Sequence, residues 1–225
     1  APSPSNWTRK ARKSSLTVDK RPYLYLMTAS EYRQLLTDTL NRLDMAAVNA
    51  MVECFADAHA RSATIFTMGN GGSGASASHA AGDFLKGASY GLDQRFKMVC
   101  LNDNLPSMMA IANDIGWEDI FVEPLKNFIQ PGDVVIGISG SGNSKNVLKA
   151  VDYAKSKGAT VIGMTGFKGG QLREAADISI HSDAMDMEVA EDVHMAVFNM
   201  VKKVMMARLM GDTPSMGGTY DARVQ

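Results

Sequence analysis

A doubly wound α/β sandwich is the fold expected of this chain, on two observations. From residue 63 onward, short apolar runs alternate with stretches of helical periodicity, and that alternation means parallel strands joined by right-handed crossovers. The runs are apolar at successive positions, the pattern of strands covered on both faces. With 225 residues, the chain can bury one substantial core but hardly two. A single domain over 28–210 is therefore expected, with a flexible tail at 1–27 and a second tail at 211–225.

The elements follow in order. The first tail holds Arg9, Lys10, Arg12 and Lys13 among Pro2, Pro4, Ser14 and Ser15 and reads as a solvated segment. Thr28 with Glu31 forms a capping-box pattern ahead of Tyr32, Leu35, Leu36, Leu40 and Leu43, so a helix starts there. Asp44 caps a second helix, from about Met45 to Ala60. Then come the strand "ATIFTM", a helix from about Ala75, the strand "KMVCL", a helical region from Pro106 to Phe128, and the strand "DVVIGIS". A helix from Ser144 to Lys157, the strand "ATVIGMT", a short helix near Gln171 to Ala176, the strand "DISIHS" and a long helix from about Asp186 to Met210 complete the chain. The last helix is apolar over most of its circumference, which predicts burial against other helices or another subunit.

Composition removes several function classes. A formal net charge of -1 gives no global field for nucleic acid or an anionic membrane. No run approaches the ~20 apolar residues of a membrane span, and no apolar signal-peptide segment follows the basic N-terminus, so a cytoplasmic location is expected. Cys54 and Cys100 have no CxxC spacing and read as buried free thiols.

Two glycine- and serine-rich loops carry the chemistry. In "MGNGGSGASASHAAGDFLKG", Gly69, Gly71 and Gly74 satisfy GxGxxG between a strand and a helix. A dinucleotide fingerprint also needs an acid roughly 20 residues on, and Asp103 comes well beyond that spacing. Glycine also serves any tight strand-to-helix turn. The second loop, "ISGSGNS", puts Ser139, Ser141 and Ser144 between a strand and a helix. There the hydroxyls and the helix-start N–H groups can hold a small phosphate monoester, although serine-rich turns are often only turns. Neither loop matches GxxxxGK[ST], so no nucleotide triphosphatase is indicated.

The stretches "GNGGSGASASHAAGDFL", "LNDN", "AIANDIGWEDIF", "GISGSGNSKNVLKA", "GMTGFKGGQL" and "EDVHMAVFNM" together resemble the sugar isomerase (SIS) domain of the phosphoheptose isomerase type, from about Leu35 to Met206. The resemblance implies a five-stranded parallel sheet, a homotetramer with sites at subunit interfaces, and a substrate phosphate held by the Ser139 to Ser144 loop. Asn70, Gly71, Gly72 and Ser73 of the first loop, with Asp103 and Asn199, complete the candidate substrate-contacting set. The implied activity interconverts sedoheptulose 7-phosphate and a heptose 7-phosphate, with no nucleotide cofactor.

That reaction removes a carbon-bound proton beside a carbonyl, holds an enediolate and returns the proton to the neighbouring carbon. It needs a carboxylate shuttle and an acid, donor or metal for the oxygens. His79 and Asp83 lie at i and i+4, about 40° apart on one helix face. The family has a glutamate at the position of Asp83 and a histidine, zinc-binding in some members, at that of His79. Asp83 is thus the candidate shuttle, with His79 its partner or a metal ligand, unless the two form only a surface pair. The last helix departs further: the family's glutamine and histidine are here Glu191 and Asn199, and an amide cannot deliver a proton at neutral pH. His194 does not compensate, being about 140° around the helix from Asn199. Glu191 adds a carboxylate, so His79, Asp83 and Glu191 could hold a divalent ion, zinc or a harder metal. Glu188, Glu191 and Asp192 can equally be helix-starting acids.

Three readings follow. The leading one is a ketose/aldose phosphate isomerase that works through an enediolate. A non-catalytic SIS module that binds a sugar phosphate or scaffolds a protein partner is the second, and Asn199 favours it. An NAD-dependent enzyme is the third, disfavoured by the acid spacing and by the unexplained second loop.

Overall fold

A computed structural model describes residues 27–211, so the expected tails lie outside the described residues except for Met27 and Gly211. Two helices precede the sheet, α1 (Ala29–Asn41) and α2 (Met45–Ala60). The Thr28 hydroxyl accepts from the Glu31 amide at 3.2 Å, and Glu31 reaches back to the Thr28 amide at 2.7 Å. Asp44 accepts from the amides of Ala46 and Ala47. Each such cap contributes about 1 kcal/mol by satisfying amides that the first helical turn leaves unpaired.

The α/β part runs β1 (Thr64–Gly69), α3 (Gly71–Gly82), a π-helical turn (Asp83–Gly87), β2 (Lys97–Cys100), α4 (Leu105–Asp114), a 3-10 turn (Trp117–Asp119), α5 (Val122–Phe128), β3 (Val134–Ser139), α6 (Lys145–Ser156), β4 (Thr160–Thr165), α7 (Gly170–Ala175), β5 (Ile178–His181) and α8 (Met187–Met210). The five strands are all parallel, in the order β2-β1-β3-β4-β5. Alternate residues of each strand feed opposite cores. Ile65, Ile136 and Met164 pack with α2, α3 and α8 on one face, while Phe66, Val135 and Val161 pack with α5, α6 and α7 on the other. Both faces are therefore dry, as the continuous apolar runs require.

Two boundaries differ from the sequence pattern. The helix expected from about Ala75 begins at Gly71, because tertiary packing overrides the poor helix propensity of glycine. A Cβ at Gly74 would lie 2.8 Å from the Gly69 carbonyl oxygen, so the glycines let helix and strand approach closely. The region from Pro106 to Phe128 is not one helix but α4, the 3-10 turn and α5. Asn104 starts α4 by accepting from the Ser107 amide.

The topology fixes where chemistry can occur. After β1 the chain moves to one side of that strand for β2 and then crosses to the other side for β3. The switch therefore falls between β1 and β3, where open α/β sheets bind ligands. Gly69 pairs with Ile138 across that junction, which brings both glycine- and serine-rich loops out side by side.

Candidate active site

Side-chain amides hold the first loop in place. Asn102 spans both backbone groups of Gly69, accepting from its N–H at 3.2 Å and donating to its carbonyl at 2.8 Å. Asn70 and Asn146 exchange two amide bonds of 2.9 Å each, tying the start of α3 to the first turn of α6. Gly71 has φ +56°, a left-handed conformation costly for other residues.

The second loop rests on the first turn of α7. Leu172 N–H donates to the Gly142 carbonyl at 2.9 Å, and Gln171 N–H donates to the Asn143 side chain at 3.2 Å. Gly142 has φ +68°, and a Cβ there would strike the Gly169 carbonyl. Ser139 and Ser144 share a 2.9 Å hydroxyl bond.

Between the loops lies a pocket of about 300 Å³, lined by Asn70, Gly71, Gly72, Ser73, Ile138, Ser139, Gly140, Ser141, Ser144, Met187 and Glu191. Neither Asn70 nor Ser144 caps its helix with a side-chain bond, so the starts of α3 and α6 both face the pocket without an N-cap side chain, although the Val147 amide in the first turn of α6 is taken by the Asn146 side chain at 2.9 Å. Two helix N-termini and four serine side chains, Ser73, Ser139, Ser141 and Ser144, favour an anion. No lysine or arginine lines the pocket, and its one charged residue is the Glu191 carboxylate. Glu191 lies so close to Gly72 that any side chain there would collide with it. Burial pushes the Glu191 carboxyl above its usual range, and nearby Glu188 and Asp192 add to the effect.

A second polar cluster stands farther along α3. His79 Nε2 lies 3.5 Å from Asp83 Oδ2, and Lys202 Nζ of α8 lies 2.8 Å from Asp83 Oδ1. At 1.5 Å per residue, His79 and Asp83 are roughly 12 and 18 Å along the helix from Gly71. Phe84 anchors this end of the helix, fully buried with its ring 4.9 Å from that of Phe55 and 5.1 Å from that of Phe96. Ser89 closes the π-helical turn by donating to the Phe84 carbonyl at 2.7 Å. Turns of this kind are over-represented at functional sites.

The structure thus gathers Asn70, Gly71, Gly72, Ser73, Ser139, Ser141, Ser144 and Glu191 around one pocket and puts the His79–Asp83 pair apart from it. Asp103 and Asn199 are exposed and do not line that pocket. His79, Asp83 and Glu191 do not form a metal site within one chain: among the described residues, no three His, Cys, Asp or Glu side chains are grouped to hold an ion. His194 points away from all of this. It is fully buried and meets the Thr165 carbonyl at 3.1 Å, and burial depresses its pKa to about 4, which keeps it neutral. Asn102, Asn146 and Lys202 were not singled out from the sequence; Asn102 and Asn146 fall inside the quoted stretches "LNDN" and "GNSKNVLKA", but only their fold partners reveal what they do.

A family model described as the SIS domain matches residues 30–166. A phosphoheptose isomerase of Geotalea daltonii is 34% identical over 172 residues, covering 73% of this chain and 85% of that protein. One from Geobacter sulfurreducens is 33% identical over 178 residues, with 79% and 93% covered. The solved structure of a phosphoheptose isomerase from Francisella tularensis superposes with a TM-score of 0.72 at 22% identity, over 78% of this chain and 93% of that one.

Proposed function

This chain belongs to the SIS domain family, and from that premise we propose that it is a ketose/aldose phosphate isomerase converting sedoheptulose 7-phosphate into a heptose 7-phosphate. The observation that carries the reading is the cation-poor pocket at the switch point, where two uncapped helix N-termini and Ser139, Ser141 and Ser144 converge. Hydroxyls and backbone N–H groups hold a phosphate monoester there without a lysine.

With the phosphate anchored, the reacting carbons extend toward the mouth of the pocket. The Asp83 of a neighbouring subunit, brought to the open side of the pocket, removes the proton from the carbon beside the carbonyl, since the same chain's Asp83 lies roughly 18 Å along α3 from Gly71. The C–H electron pair moves into the enediolate. The same carboxyl returns the proton to the neighbouring carbon. His79 orients the second oxygen of Asp83. The proposal includes a homo-oligomer, a tetramer, in which a neighbouring subunit walls the open side of the pocket, and a cytoplasmic location. Among the described residues, no helix is long and apolar enough to cross a membrane.

The test is conversion of sedoheptulose 7-phosphate followed by proton NMR in deuterated water, with deuterium appearing at the reacting carbon. Asp83→Ala is expected to lower turnover on the order of a hundredfold or more. Tight sugar-phosphate binding with no turnover in the native protein would instead support the sensing module, which the exposed amide at Asn199 favours.

A further inference from the structure

Resting on the isomerase reading above, we propose that Lys202 is a further catalytic residue, whose ammonium holds the Asp83 carboxylate on one side and the oxygen of the forming enediolate on the other. Four observations converge on it. Lys202 Nζ lies 2.8 Å from Asp83 Oδ1, and the two side chains are 19% and 27% exposed, a partly buried pair with a solvent-facing side. Gly87 makes room for the lysine stem: a Cβ there would lie 2.9 Å from Lys202 Cε and 3.1 Å from Nζ. The π-helical turn, Asp83–Gly87, brings both the carboxylate and that gap to face α8. Lys202 follows Asn199 by one turn of α8, about 60° around the axis, so it supplies a charge next to the position where the amide supplies none.

The chemistry balances without a further reactant. Asp83 takes the carbon-bound proton, and its electron pair forms the new C=C bond as the carbonyl π pair moves onto oxygen. The proton of the neighbouring hydroxyl passes to that oxygen, Asp83 protonates the adjacent carbon, and the new carbonyl forms. The oxyanion is the point of highest charge, and a fixed ammonium with three N–H donors can meet it with two while the third stays on Asp83. Lys202 gives up no proton in this scheme; it stabilises charge.

The experiment compares the native protein with Lys202→Met and Lys202→Arg for kcat, for KM, and for inhibition by a phosphorylated aldonohydroxamate, a mimic of the enediolate. Lys202→Met should lower kcat on the order of a hundredfold or more and weaken the hydroxamate by a similar factor, with KM nearly unchanged. Lys202→Arg keeps charge and donors and should stay within about tenfold of the native rate. If Lys202→Met does not fold, its neutral-donor counterpart Lys202→Gln replaces it, with the same expected loss. A folded Met or Gln variant with native kcat, or one that loses hydroxamate and substrate affinity equally, would overturn the role. A native protein that turns over no sugar phosphate removes the isomerase reading and this inference with it; an active native protein indifferent to position 202 removes the inference alone.

Discussion

At residue 191 the anion pocket holds an anion of its own. Glu191 sits against Gly72 at the start of α3, and burial with Glu188 and Asp192 raises its carboxyl above the usual range. At neutral pH a bound phosphate and an ionised Glu191 repel each other in a pocket with no lysine or arginine in its lining. Glu191→Gln is therefore expected to tighten sugar-phosphate binding severalfold at neutral pH. A carboxyl with a raised pKa takes up its proton earlier as pH falls, so the advantage of the variant shrinks on acidification and vanishes once Glu191 is neutral. Isothermal titration at two pH values checks this, and an advantage that grows on acidification would contradict it. Ser141 and Ser144 act in the opposite sense. Replacing both with alanine should cost about 1.5 to 3 kcal/mol for each hydrogen bond to the charged phosphate, leaving the melting temperature nearly intact. The serines were legible because strand and helix bracket them in the sequence. Asn146 was not, since its role is an amide exchange with Asn70, a partner distant in sequence, and no local pattern encodes such a pair.

Between elements, glycine divides into positions that fit matters and positions that are free. Gly142 has a left-handed backbone, and a side chain there would collide with Gly169. Gly142→Ala should thus destabilise the fold by more than about 1 kcal/mol and loosen the serine loop together with it. Gly82 has open space around it and helical geometry, so Gly82→Ala should stabilise by up to about 1 kcal/mol. Urea denaturation of both variants makes the comparison, and equal effects would show that the backbone argument fails. Sequence periodicity placed every strand and most helices, because continuous apolar runs and capping residues are local signals. It could not place the π-helical turn or the early start of α3. Both depend on what packs from outside: Phe84 against Phe55 and Phe96, and Gly74 against Gly69. The Asp83 and Lys202 pair was hidden for the same reason, since it joins two helices from opposite ends of the domain.

The whole molecule buries one face of α8 internally, with Val193, Val197, Val201 and Met205 covered within the same chain. The unpaid apolar surface is elsewhere. α4 buries none of its side chains, and Leu105, Met109, Ile115, Trp117 and Phe128 are each more than half exposed. Edge-strand Val99 is 41% exposed and lines a shallow depression with Phe128. Scattered exposed apolar residues are ordinary, but six large ones around one sheet edge are what an interface presents. α4 starts at the carboxyl end of β2, the same end of the sheet from which the pocket loops emerge. A second subunit seated on α4 would thus come close to the mouth of the pocket, so assembly and turnover should fall together. Sedimentation should show an oligomer at micromolar concentration. Met109→Asp with Trp117→Asp should shift it toward monomer, retain the circular dichroism of the native chain and lower kcat at least tenfold. A dissociated variant with native kcat would show that each subunit carries a complete site, and an unshifted oligomer would place the interface on another face.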